Sequence, residues 1–218
     1  MMTELDGPLR LERLTGRGRV TLEGARVPVA LLTGAAPGGA VPDRDGAVLI
    51  DVAIEDGRIA GLEAAGAMTG AAVTGGARIE LGGRHLWPML VDMHAHLDKG
   101  HILGRAPDSG GTHPGARDAT SADRKAHWTR EDLLRRMTFG LATAEAHGVA
   151  AIRSHLDSHE GQAETTWAAF ATARDDWAAR VRLQGVALVP LDAWAGGYGE
   201  RLADLVAGHG GIMGGVQR

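Results

Sequence analysis

Cysteine is absent from the 218 residues. No disulfide, iron–sulfur cluster or thiolate zinc site can form, and any bound metal must rest on His, Asp or Glu. Lysine is almost missing too: Lys99 and Lys125 are the two in the chain, so arginine carries nearly all positive charge. That skew reads as the codon usage of a GC-rich genome and carries no functional message. The net charge of −4 and pI near 6.2 exclude a broad basic surface for nucleic acid. No run approaches the roughly 18 continuous apolar residues of a membrane-spanning helix. The start, Met1 to Asp6, is acidic and lacks the basic and apolar regions of a secretory signal. A soluble cytoplasmic protein, with no membrane and no nucleic-acid partner, is the expectation.

What is present is ordinary for a globular chain: 44% hydrophobic and 23% charged residues. The length allows one large domain, or one with a small companion. The pattern divides near residue 85. Residues 1–85 read as a small β-sandwich-like region of short strands. Val20–Glu23 and Val27–Leu32 are candidates, and the clearest is Ala47–Glu55. Asp56-Gly57 and Arg58–Leu62 follow it, a hairpin signal because a type I′ turn needs positive φ. Residues 33–46 and 64–77, rich in Gly, Ala and Pro, read as loops.

From residue 86 the pattern becomes alternating strand and helix. Leu86–Met93 reads as a buried parallel strand. Residues 104–128 read as a long loop over a site mouth, a common place for a lid. Thr129 with Asp132 starts a helix, Leu133, Met137 and Leu141 recur at its spacing, and Gly148 ends it. Strands are predicted at 149–155, 181–189 and 211–217. A helix over about 161–179 carries Trp167, Phe170 and Trp177 as core residues, and another carries Leu202, Leu205 and Val206. A β-α-β order at a period near 30 residues implies parallel strands with helical crossovers. An eight-fold barrel takes about 250 residues, so residues 86–218 fit about four strands, the first half of a (β/α)8 TIM-like barrel. Leu90, Ile152 and Val186 are candidates for its inner face.

The chemistry-bearing residues cluster at the end of the first of these strands. In Val91-Asp92-Met93-His94-Ala95-His96-Leu97-Asp98-Lys99, His94 and His96 stand two apart. Strand alternation turns them to one side, where two imidazoles can converge on one metal ion. Asp92 and Asp98 flank them. His155 and Asp157 follow the second strand as pocket-lining candidates, and Arg153 shares a side with His155. Lys99 and His101 are candidates for supporting the ligands or touching substrate.

The run Trp87 to His101 resembles the first-strand motif of the amidohydrolase superfamily, in its cytosine deaminase-like branch. Ala151–Ser158 is similar to that branch's second-strand signature, and Val181–Gln184 with Val186-Ala187 to its third. The resemblance covers residues 79–217 and implies one divalent metal ion, zinc or iron, with His94 and His96 as two of four protein ligands. It implies hydrolysis of a C–N bond in a cyclic amidine or aminated heterocycle by metal-activated water. Lys99, Arg153, His155 and Asp157 would be the substrate-binding residues. The family's other ligands and its acid–base Glu and His come from later strands, so no catalytic acid–base residue is assigned here. The chain alone is expected to be inactive, and its open strand edges to call for a complementary C-terminal half or a homo-oligomer. After the third strand stands Val189-Pro190-Leu191-Asp192, without the Gln of bacterial cytosine deaminases, which speaks against cytosine itself. Two alternatives stay open: a non-catalytic half-barrel subunit, and a cyclic-amide hydrolase of the hydantoinase or dihydroorotase type. The latter would carry a lysine on the fourth strand, and residues 211–218 contain none.

Overall fold

The computed structural model describes residues 18–68, 76–106 and 108–217. The acidic start and half of the second Gly/Ala-rich loop, residues 69–75, lie outside the described residues. The chain divides into two compact units, Met1–Pro88 and Met89–Arg218.

The first unit carries β1 (Arg19–Pro28), β2 (Ala47–Glu55), β3 (Arg58–Ala64) and β4 (Ala77–Glu80), in sheet order β3-β2-β1-β4. The β2–β3 hairpin turns on Asp56 and Gly57 at φ of 50° and 78°, the left-handed conformation its sequence predicts. The two runs read separately at 20–23 and 27–32 are one strand with a bulge between Leu22 and Ala25, and the chain leaves it at Val29 in a 3-10 turn. Gly24 takes φ 63° in that bulge, and its N–H donates to Asp51 Oδ1 at 2.9 Å. Ala25, Val27, Val48, Ile50 and Val52 form the core of this unit. Among the described residues it is a single four-stranded sheet, and a second sheet of a sandwich is not among them.

The second unit alternates β5 (Leu90–Ala95), α1 (His113–His127), α2 (Arg130–Ala146), β6 (Val149–Asp157), α3 (Ala163–Trp177), β7 (Arg182–Leu188) and α4 (Gly197–Gly208). The sheet is parallel, in order β5-β6-β7. Thr129 Oγ1 accepts from the Asp132 N–H at 3.2 Å to start α2, and Gly148 at φ 77° follows its end. Leu133, Met137 and Leu141 are fully buried, as their spacing requires. They join Ile152, Leu156, Trp167, Phe170, Leu202 and Val206 in one core between the helices and one face of the sheet. Gly185 is needed there: a Cβ would stand 2.9 Å from Phe170 and 3.0 Å from Trp167.

Three expectations change. Residues 113–127 form a helix rather than a loop, because Thr112 Oγ1 accepts from the Gly115 N–H at 3.1 Å and Pro114 sits in the first turn. The start of β5 is not buried: Leu90, Val91 and Met93 are 60, 62 and 69% exposed on the sheet's edge strand. Leu90 therefore belongs to no packed inner face; Val186 is buried on the face that carries His155, whereas Ile152 is buried on the opposite, helix-covered face and is not an inner-face residue. The fourth strand expected at 211–217 is reduced to two isolated parallel bridges, Val186 with Ile212 and Pro190 with Val216. Backbone pairing with β7 survives there, as Ile212 N donates to Gly185 O and Ala187 N to Ile212 O, both at 2.9 Å. Gly214 and Gly215 interrupt a continuous ladder but allow the close approach: a Cβ on Gly214 would lie 2.5 Å from Val186 Cγ1. Three parallel strands and these bridges are present among the described residues, and no closed barrel.

Candidate active site

Sequence-predicted residues meet where β5 and β6 end. The pairing register shifts between Asp92 and Ala95, and Asp92 Oδ1 accepts from the His94 N–H at 3.1 Å. That irregularity re-aims the end of the strand. The His94 and His96 ring centroids lie 5.3 Å apart, and His155 joins them at 4.0 Å from His94 and 5.8 Å from His96. The His94 and His155 planes differ by 25°, a stack. His96 Nδ1 is 3.0 Å from the His155 carbonyl oxygen. A carbonyl only accepts, so Nδ1 carries the proton and Nε2 keeps its lone pair in the neutral ring. Burial, then the Lys99 charge, lowers the His96 pKa. Burial, then His94, lowers that of His155. Both rings are therefore held in the neutral form that a metal requires.

The segment after His96 is tied down by polar contacts. The Leu97 N–H donates to Ser154 Oγ at 3.1 Å. Asp98 is fully buried, and its Oδ2 accepts from the Asp157 N–H at 2.7 Å, joining the ends of β5 and β6. Burial and the neighbouring Asp157 charge push the Asp98 carboxyl up to about 7. Arg136 of α2, itself buried, donates to the Asp98 carbonyl and to the Gly100 carbonyl at 3.1 Å. Its Nε holds Asp132 Oδ2 at 2.8 Å, and Asp132 also takes Arg105 at 2.6 Å. Arg105 in turn reaches Asp123 on α1 at 2.7 Å.

The remaining predicted residues divide. Asp157 is held between Lys99 Nζ at 2.8 Å and Arg124 Nη1 at 3.1 Å. Lys99 and Asp157 are thus placed at the strand ends as an ion pair. Arg153 sits one turn of the pleat below His155 and donates through Nε to Gln184 Oε1 at 2.6 Å, across the register of β6 and β7. His101, at φ 63°, packs edge-on against Phe139 with centroids 4.5 Å apart, away from the three imidazoles' contacts. Arg124 and Arg136 are the residues that sequence reasoning missed. Thr112 followed by Pro114 is the signal that would have found α1 and so Arg124. The i, i+4 spacing of Asp132 and Arg136 inside an apolar stripe is the signal for the other.

His94 and His96 offer two imidazole donors from one strand end, which fits half of a metal ligand set. Among the described residues no group of three or more His, Asp or Glu side chains is arranged to hold an ion. No helix among them is long and apolar enough to cross a membrane.

No protein-family model matches the chain. Over 199 residues it is 36% identical to a pterin deaminase of Rhizobium rhizogenes, covering 91% of this chain and 44% of the relative. Among solved structures, N-isopropylammelide isopropylaminohydrolase from Burkholderia multivorans aligns at TM-score 0.61 and 22% identity, over 87% of this chain and 43% of that one. The 5-methylcytosine deaminase of Klebsiella pneumoniae aligns at TM-score 0.58 and 20% identity, over 89% and 50%. Guanine deaminase from C. acetobutylicum aligns at TM-score 0.56 and 9% identity, over 92% and 46%. These three show the shared fold. The chain spans about half the length of the relatives it matches. Sequence and fold together are similar to those of amidohydrolase-type proteins, on the deaminase-like side of that superfamily.

Proposed function

We propose that this chain carries the first metal-ligand pair of a hydrolase that removes an exocyclic amino group from a nitrogen heterocycle, with pterin as the first substrate to test. The observation that carries the reading is the meeting of His94, His96 and His155 where parallel strands β5 and β6 end. The likeness to a pterin deaminase supports the substrate class. His94 and His96 would hold one divalent ion, zinc or iron. Bound there, such an ion supplies Lewis-acid activation of water.

The chain's own residues do the rest of what this half contributes. His96 presents Nε2 because its Nδ1 proton is committed to the His155 carbonyl. Asp157 fixes the Lys99 ammonium at 2.8 Å, so that a cation stands at the mouth for the acceptor edge of a heterocycle. His155 and Arg153, on one side of β6, line the floor on which such a ring would rest. The stretch paired beside β7, residues 212–217, contains no lysine, which favours a single-ion site over a lysine-bridged pair.

The test has two arms. Dialysed against zinc or ferrous ion, the 218-residue chain should retain metal, and His94→Ala and His96→Ala should lose it. Grafted in place of the matching segment of the Rhizobium relative, residues 18–217 should release ammonia from pterin, and the graft bearing His94→Ala should not. The chain alone should release none above its His94→Ala control. Equal metal retention by the wild type and both histidine variants would overturn the reading.

A further inference from the structure

We infer that His155 is the positioning residue of the His94–His96 pair, acting on one through its backbone and on the other through its ring. The inference rests on the metal reading above and assigns the mechanism by which the two donors are oriented. Three observations carry it. The His155 carbonyl accepts the His96 Nδ1 proton at 3.0 Å, which fixes both the tautomer and the ring's rotation. The His155 ring stacks on that of His94 at 4.0 Å and 25°, which limits rotation of the more exposed imidazole about χ2. The His155 Nδ1 atom is itself buried, so this edge of the ring is turned into the protein.

The residue is in turn firmly placed. It lies in register with Val186 of β7, and its neighbours Ser154 and Leu156 are buried on the opposite face. Ser154 Oγ accepts from the Leu97 N–H at 3.1 Å, so the residue before His155 secures the residue after His96. One short stretch of β6 therefore holds backbone, tautomer and ring orientation of the motif on β5. A free pair of histidines on an edge strand would have to order both rings on binding an ion. Orienting them in advance removes that entropic cost.

This division of labour separates His155 from a third ligand. A stacking role tolerates any flat ring, whereas a ligand role needs the nitrogen. The experiment uses the whole chain, with zinc titrated against a chromophoric chelator, and three variants: His155→Phe, His155→Ala and His94→Ala. Zinc affinity should fall about 10- to 100-fold in His155→Ala and stay within about threefold of wild type in His155→Phe. It should vanish in His94→Ala. Long-range proton–nitrogen NMR of the metal-free wild type should show His96 protonated at Nδ1. That pattern should persist in His155→Phe, because the carbonyl remains.

Loss in both His155 variants would make the ring a ligand and overturn the positioning role. Unchanged affinity in His155→Ala, with His94→Ala still dead, would overturn it while leaving the metal site intact. Wild-type affinity in His94→Ala would remove the metal reading and this inference with it. If His155→Ala does not fold, His155→Phe and the His96 tautomer decide the matter, and a proton on Nε2 overturns the assignment.

Discussion

The two faces of the β5-β6-β7 sheet obey different rules. The face that carries Ile152, Leu156, Leu183 and Ala187 is covered by helices and closed around Trp167 and Phe170. The other carries Arg153, His155 and Gln184, with His94 and His96 at the strand end, and remains partly open. On the covered face shape decides everything, down to a glycine where a methyl group would collide. On the open face polar side chains pair with one another at modest cost, because water reaches them. Apolar packing is concentrated on one side of the same strands and polar, titratable side chains on the other.

That contrast can be broken at its strongest point. Trp167→Ala should lower unfolding free energy by about 3–5 kcal/mol, read in denaturant titration. The residue is fully buried and its Nε1–H donates to Ser158 Oγ at 3.0 Å. A loss below about 1 kcal/mol would show that the covered face is not the stabilising one.

The polar network behind the covered helices should respond to acid. Hydrogen bonds from Arg105, and then from Arg136, hold the Asp132 carboxyl well below the ordinary value of 3.8. A depressed carboxylate stabilises the fold above its unfolded pKa, and that contribution disappears as pH falls from about 4 through the folded value. Asp132→Asn should cost about 3 kcal/mol at neutral pH by leaving the buried Arg136 without its carboxylate partner. Wild-type and variant stabilities should converge toward acid, with a flatter slope below pH 4 in the variant. Parallel curves would remove Asp132 from the network.

Gly185→Ala sharpens the steric side of the comparison. Its added methyl would press on Phe170 and Trp167, and overpacking of this kind costs about 1–3 kcal/mol. The melting temperature should fall with no change in metal binding. The smallest effect belongs to the open face: Arg153→Ala should stay within about 0.5 kcal/mol of wild type, because its bond to Gln184 is solvent-accessible. A larger loss would mean that this face is held together as tightly as the other.

The second, third and fourth helices and the strands β6 and β7 were legible in the chain because apolar periodicity, capping residues and glycine stops agree there. The hairpin at Asp56-Gly57 was legible for the same local reason. The histidine pair was legible as well, since two residues apart on a strand end is a local pattern. Helix α1 was not, because Gly, Asp and Arg obscure its cap and it buries little apolar surface, Ala119 being an exception.

Composition and short-range pattern determined that any metal must sit on oxygen or imidazole, that parallel strands alternate with helices, and that His94 and His96 share a strand end. The tertiary structure alone decided that His155 completes their setting and that Asp98 bridges to Asp157 from 59 residues away. It also decided that Arg136 holds the turn between them. Those contacts join segments far apart in sequence. No local propensity encodes them, and they exist only once packing has brought β5, β6 and α2 together.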